Sequence, residues 1–147
     1  MAATDSGAAC AFALAMPEAR ALTPEQWARA VFEEGPAALR WFVELGWRAA
    51  LGLRLGPRHS PDHVAGWTIA AVDERPDTIT LTAESRILRA RNIVAVDDSV
   101  VEWVTVVQFE RPLARPVWAL ASPMHRRTIP YLLTRAGRSV GQRPSPS

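Results

Sequence analysis

The stretch Ile87–Phe109, ILRARNIVAVDDSVVEWVTVVQF, consists of two runs rich in branched and aromatic residues joined by an acidic turn. Side chains of these types suit a pleated, half-buried surface, so each run reads as a strand. A two-residue loop at Asp98-Ser99 sets Val96 opposite Val101 and thereby fixes every pair behind it. Val94 then faces Trp103, Asn92 faces Thr105, Ala90 faces Val107 and Leu88 faces Phe109. Arg89, Arg91, Glu102 and Gln108 all fall on the other side. One face of the hairpin is apolar and the other is wet.

The same reasoning extends towards the N-terminus. A tight turn at Ser85-Arg86 pairs Ala83 with Leu88, Leu81 with Ala90 and Ile79 with Asn92. A five-residue loop from Asp73 to Asp77 then sets Ala71 against Ile79, Ile69 against Leu81 and Trp67 against Ala83. The expectation is a four-stranded antiparallel meander, Val64–Val72, Thr78–Glu84, Ile87–Asp97 and Val100–Glu110, with one consistent inner face. Asn92 and Thr105 form a polar pair on that face, where a buried amide must find partners or cost a few kcal/mol.

Helical signals flank the meander. In Leu22-Thr23-Pro24-Glu25-Gln26-Trp27, Thr23 is an N-cap, Pro24 the first helical residue and Gln26 the partner of a capping box, with Leu22 and Trp27 as a hydrophobic staple. This helix stops at Gly35-Pro36, and Pro36 opens a second one reaching about Leu53. Gly56 to Asp62 reads as a loop, and Ala11–Met16 as a first strand ended by Pro17. After Pro112 the helical period returns through Leu113, Val117, Trp118, Ala121, His125, Thr128 and Leu132. Pro116, Pro123 and Pro130 recur every seven residues along it. The segment is either several short helices or one bent helix with its prolines on one stripe; the unbroken apolar phase favours the second. Residues 8–137 are expected to form one domain, with 1–7 and 138–147 as flexible tails.

Composition bounds the function classes. With 147 residues, 48% hydrophobic and 22% charged, the chain is sized and balanced for a single globular core. All 17 basic side chains are arginine, yet acids are interspersed and the formal charge is only +2, which argues against a nucleic-acid partner. The cluster Arg126, Arg127, Arg135, Arg138 and Arg143 faces no nearby acid and reads as a solvated helix end complementing its dipole. Cys10 is the only cysteine, so no intrachain disulfide forms and a cytoplasmic location is expected. The apolar run Ala8–Met16 lacks a positively charged lead and has Asp5 just before it, unlike a secretion signal. No apolar run reaches the roughly eighteen residues that an integral membrane helix needs. The glycines are scattered, with no phosphate-binding loop.

A strand, two short helices, an antiparallel meander and a long last helix make an α+β chain whose element order resembles the START-like helix-grip superfamily, also called SRPBCC. The phrases Thr23-Pro24-Glu25-Gln26-Trp27, Gly66-Trp67 and Trp118-Ala119-Leu120-Ala121-Ser122-Pro123-Met124-His125-Arg126-Arg127 look like those of a group of uncharacterised bacterial proteins in that superfamily. The resemblance implies a curved sheet gripping the last helix around a hydrophobic cavity, as in lipid carriers and polyketide cyclases. Such folds have seven strands and about five are counted here, so a reduced sheet is expected.

His59 and His63 have the spacing of two ligands on a helix, but Pro61 between them favours an exposed loop over a metal site. His125 lies in phase with Trp118 and Ala121, where it projects towards a cavity or caps a helix edge. The expected function is binding of a small apolar or amphipathic molecule, such as a lipid, without cofactor or metal. Trp67, Val94, Trp103, Phe109 and Trp118 would line the cavity, and Asn92, Thr105 and His125 would supply polar contacts. The alternatives are a cyclase- or isomerase-like enzyme using the same cavity, and a homodimer that covers an apolar face. No residue is assigned a catalytic role.

Overall fold

A computed structural model describes residues 7–34, 36–57, 59–70 and 77–141. Strand β1 (Gly7–Ala15) leads through a short 3-10 turn to α1 (Pro24–Glu33) and α2 (Ala37–Leu45), which a π-helical turn, Gly46–Ala50, prolongs. There follow β2 (His59–Ser60), β3 (His63–Val64), β4 (Trp67–Ile69), β5 (Thr78–Glu84), β6 (Leu88–Val96), β7 (Val100–Phe109) and α3 (Ala114–Gly141). All strand pairs are antiparallel, in the order β1-β7-β6-β5-β4-β3-β2. The chain is thus α+β, with a sheet and a long C-terminal helix.

The capping box at α1 forms as expected: the Gln26 N–H donates to Thr23 Oγ1 at 3.2 Å, and the Thr23 N–H donates to Gln26 Oε1 at 2.9 Å. The β6–β7 register is also the expected one, from Leu88 opposite Phe109 to Val96 opposite Val101. The β5–β6 register differs, because the turn sits one residue later. The Ser85 hydroxyl accepts from the N–H groups of Ile87 and Leu88, and the Ser85 N–H donates to the Leu88 carbonyl, which places Arg86-Ile87 at the tip. Ile79 therefore pairs with Val94, Leu81 with Asn92 and Ala83 with Ala90. A slip of two leaves each side chain on its expected face, since strands alternate with period two.

The strand count differs too, with seven strands among the described residues in place of about five. The expected strand Val64–Val72 is split by a two-residue turn at Ala65 (φ 49°) and Gly66 (φ 92°), the signs of a type I′ hairpin. The expected loop Gly56–Asp62 contains β2, which pairs with β3. Arg29 of α1 holds this hairpin in place: its Nη2 donates to the Ser60 carbonyl at 2.8 Å and its Nη1 to the His63 carbonyl at 3.1 Å. Glu33 accepts from both Arg29 and the Ala65 N–H. Ile69 pairs with Leu81 as expected, whereas the Ala71–Ile79 pair lies outside the described residues.

Helix α3 is continuous across Pro123 and Pro130. It also runs past residue 137, so 138–141 form its last turn rather than a tail, and Val140 is buried. Gly137 permits this approach, because a Cβ there would sit 2.6 Å from Leu14 Cδ2 of β1.

The inner face of the sheet is filled by side chains. Leu81, Leu88, Ala90, Val94, Val101, Trp103 and Val107 are buried, together with Trp27 and Val31 of α1 and Leu132 and Leu133 of α3. Phe32 meets Trp103 edge-on at 5.0 Å and Trp47 edge-on at 4.8 Å, while Trp67 stacks on it at 6.2 Å. Such interiors are close-packed, and added volume strains them. Ala90→Phe is expected to lower unfolding free energy in urea by about 1–3 kcal/mol. An unchanged midpoint would reveal an empty space beside the inner face.

Candidate functional site

The eight sequence-predicted site residues separate into two groups. Trp67, Asn92, Val94, Trp103 and Thr105 lie in the core, and Phe109 is partly buried against it. The expected Asn92–Thr105 pair forms: Thr105 Oγ1 donates to Asn92 Oδ1 at 2.6 Å, and Trp103 Nε1 donates to the same oxygen at 3.1 Å. The Thr105 hydroxyl and the Trp103 indole N–H are thereby satisfied within the core. Trp118, itself buried at the edge of the core, and His125 stand on the wall of a cleft.

That cleft, of about 290 Å³, opens between α2 with its π turn and the middle of α3. Phe42, Val43, Trp47 and Leu51 form one wall; Trp118, Ala121, Met124 and Ile129 form the other. Gly46 lies at its edge in ordinary helical geometry (φ −60°, ψ −44°), and a Cβ there would meet nothing within 4 Å. The π turn that begins at Gly46 is a distortion often found at functional sites. On the opposite wall, Pro123 and Pro130 each lack the N–H that would bond one helical turn back, and they bracket Met124, His125 and Thr128.

His125 is the chemically distinctive group here. Its ring lies 5.5 Å from that of Trp118 and 6.0 Å from that of Phe12. Its Nε2 is buried and has no hydrogen-bond partner. Burial pushes the imidazole down from 6.5 to about 4, with the positive charge of Arg126 adding to the effect. The ring is therefore neutral at pH 7 and offers an uncharged hydrogen-bonding position inside an apolar cleft. Thr128, also buried, adds a hydroxyl on the same side of α3.

Two wider depressions have a different character. One of about 420 Å³, on the opposite side of α2, includes Glu33, Arg40 and Glu44, and one of about 590 Å³ on the outer face of the sheet includes Arg54, Glu84, Arg89 and Arg91. His63 sits in the β2–β3 hairpin, where its Nδ1 is 2.8 Å from Ser60 Oγ. Among the described residues, no three His, Cys, Asp or Glu side chains are grouped to hold a metal ion. No protein-family model matches the chain, and no curated protein matches it.

Phe42, Gly46, Leu51, Met124 and Thr128 belong to the cleft although none was expected there. For Phe42 the signal in the sequence is the apolar run Trp41, Phe42, Val43 and Leu45 in α2.

His125 carries a pH signature. Its folded value, about 4, lies below the ordinary 6.5, so the unfolded chain takes up the extra proton between them. Stability is lost as pH falls through this window and is independent of His125 above it. Relative to His125→Phe, the wild type is expected to lose up to about 3 kcal/mol of unfolding free energy between neutral pH and pH 4. A pH-independent difference between the two proteins would contradict the burial of the imidazole.

Proposed function

We propose that this domain binds a small apolar or amphipathic molecule in the cleft between α2 and α3. The observation that carries this reading is the buried, unpaired Nε2 of His125 on the wall of an otherwise apolar cleft. An unsatisfied buried polar atom costs about 1–3 kcal/mol, which a ligand with one hydrogen-bonding group recovers while its apolar part displaces water from the walls. At about 290 Å³ the cleft lies at the lower end for small-molecule sites, which favours a compact ligand.

The order of one strand, two helices, six strands and a long helix supports a helix-grip reading of the fold. In this molecule the proposed site is shifted from the sheet–helix space to the helix–helix side, because the inner sheet face is packed with aromatic rings. Binding without catalysis is the simpler reading: a histidine pushed to about 4 is a weak base at neutral pH.

Gly46→Phe provides the direct test, since it places a ring at the edge of the cleft without backbone strain. An apolar fluorescent dye such as anilinonaphthalene sulfonate is expected to bind the wild type and to lose at least about tenfold in affinity for Gly46→Phe. Thermal stability should hold or rise, because glycine costs a helix up to about 1 kcal/mol. Undiminished dye binding by a folded variant would refute the site.

A further inference from the structure

The helical side of the molecule presents an apolar surface. Helix α2 has no buried residue, and Ala38, Trp41, Phe42, Leu45 and Ala49, which share one side of the helix and its π turn, are all exposed. Across the cleft mouth, Leu120 and Met124 of α3 are 85% and 48% exposed. Tyr131 of α3 and Leu113, in the turn just before it, are exposed along the same line. Phe42, Leu120 and Met124 also line the cleft, so the two apolar faces meet at its mouth. Scattered exposed apolar residues are ordinary, but a contiguous group marks an interaction surface.

Charge decides what this surface fits. Residues Ala114–Gly141 include five arginines and no aspartate or glutamate, although the whole chain carries only +2. Arg127 and Arg138 share the stripe of Leu120, Met124 and Tyr131, and both are exposed. Among the described residues neither makes an ion pair. A second copy related by a two-fold axis along this stripe would set arginine against arginine. An anionic bilayer matches both features, with apolar side chains entering the acyl boundary and guanidinium groups meeting lipid phosphate. Trp41 and Tyr131 are of the residue types that settle at that boundary. Among the described residues no helix is long and apolar enough to cross a membrane, so the contact lies in the interface plane.

We infer that the exposed faces of α2 and α3 dock this domain reversibly on an anionic lipid surface, with the cleft mouth turned towards the membrane. The docking surface borders the proposed ligand site but does not rest on it. Co-sedimentation of the full chain with vesicles of phosphatidylcholine containing about 30% phosphatidylglycerol tests it, with pure phosphatidylcholine vesicles as the comparison. Binding is expected to favour the anionic vesicles and to weaken in high salt. Arg127→Gln and Arg138→Gln should each weaken it about fivefold, whereas Arg91→Gln on the opposite sheet face should leave it unchanged. Trp41→Ser and Leu120→Ser should also reduce it, with melting temperatures preserved because both side chains are exposed. Gly46→Phe should still bind vesicles even where dye binding is lost. Absent binding, equal binding to both vesicle types, or equal losses in the Arg91 and Arg127 variants would overturn the proposal. A concentration-dependent dimer that Leu120→Ser abolishes would assign the surface to a second copy and likewise overturn it.

Discussion

The aromatic contacts around Phe32 are what the rest of the structure depends on. Its ring gathers Trp47 from the π turn, Trp67 from β4 and Trp103 from β7 onto the end of α1. Rings of this size bury a large area and favour the edge-to-face contacts seen here, so they fill the concavity where a sheet-and-helix fold would otherwise hold a ligand. Trp47 also packs edge-on against Trp67 at 5.5 Å while lining the α2–α3 cleft. The core and the candidate site therefore share a wall, since Leu51, Trp118 and Ile129 are buried in the core and also line the cleft. The open space lies where α2 stands away from the core.

A second constraint is electrostatic. The short β2 and β3 strands have few ladder bonds of their own, and Arg29 supplies what they lack by donating to two of their carbonyls from α1. Its partners Glu25 and Glu33 lie four residues away on either side, and Glu33 in turn receives the Ala65 N–H. A guanidinium is suited to this role because its planar fork serves several acceptors at once. The hairpin thereby completes the sheet at the edge opposite β1.

Local chemistry made much of the fold legible. The Thr23 cap, the Asp98-Ser99 turn and the alternation along β6 and β7 each depend on neighbouring residues, and each forms as read. The differences arise where the deciding contact is hidden or distant. Alanine seldom adopts positive φ, so Ala65-Gly66 gave little sign of a hairpin turn. The Ser85 hydroxyl moved the neighbouring turn by one residue, a choice that depends on its rotamer. Gly137, with its tail-like neighbours, is helical because it meets Leu14, more than a hundred residues away. For the site, Trp118, Ala121 and His125, which share one helical phase in the sequence, line one cleft. The other wall was not legible, since the spacing within α2 does not reveal that this apolar helix leaves its residues unburied.

The central claim is the position of the ligand site, and amide proton–nitrogen correlation spectra recorded during titration with dodecanoic acid test it most directly. The amides of Gly46, Met124, His125 and Thr128 are expected to shift together, while those of Asn92, Val94 and Thr105 stay in place. Shifts centred on Asn92, Val94 and Thr105 would return the site to the space between sheet and helix and contradict the cleft.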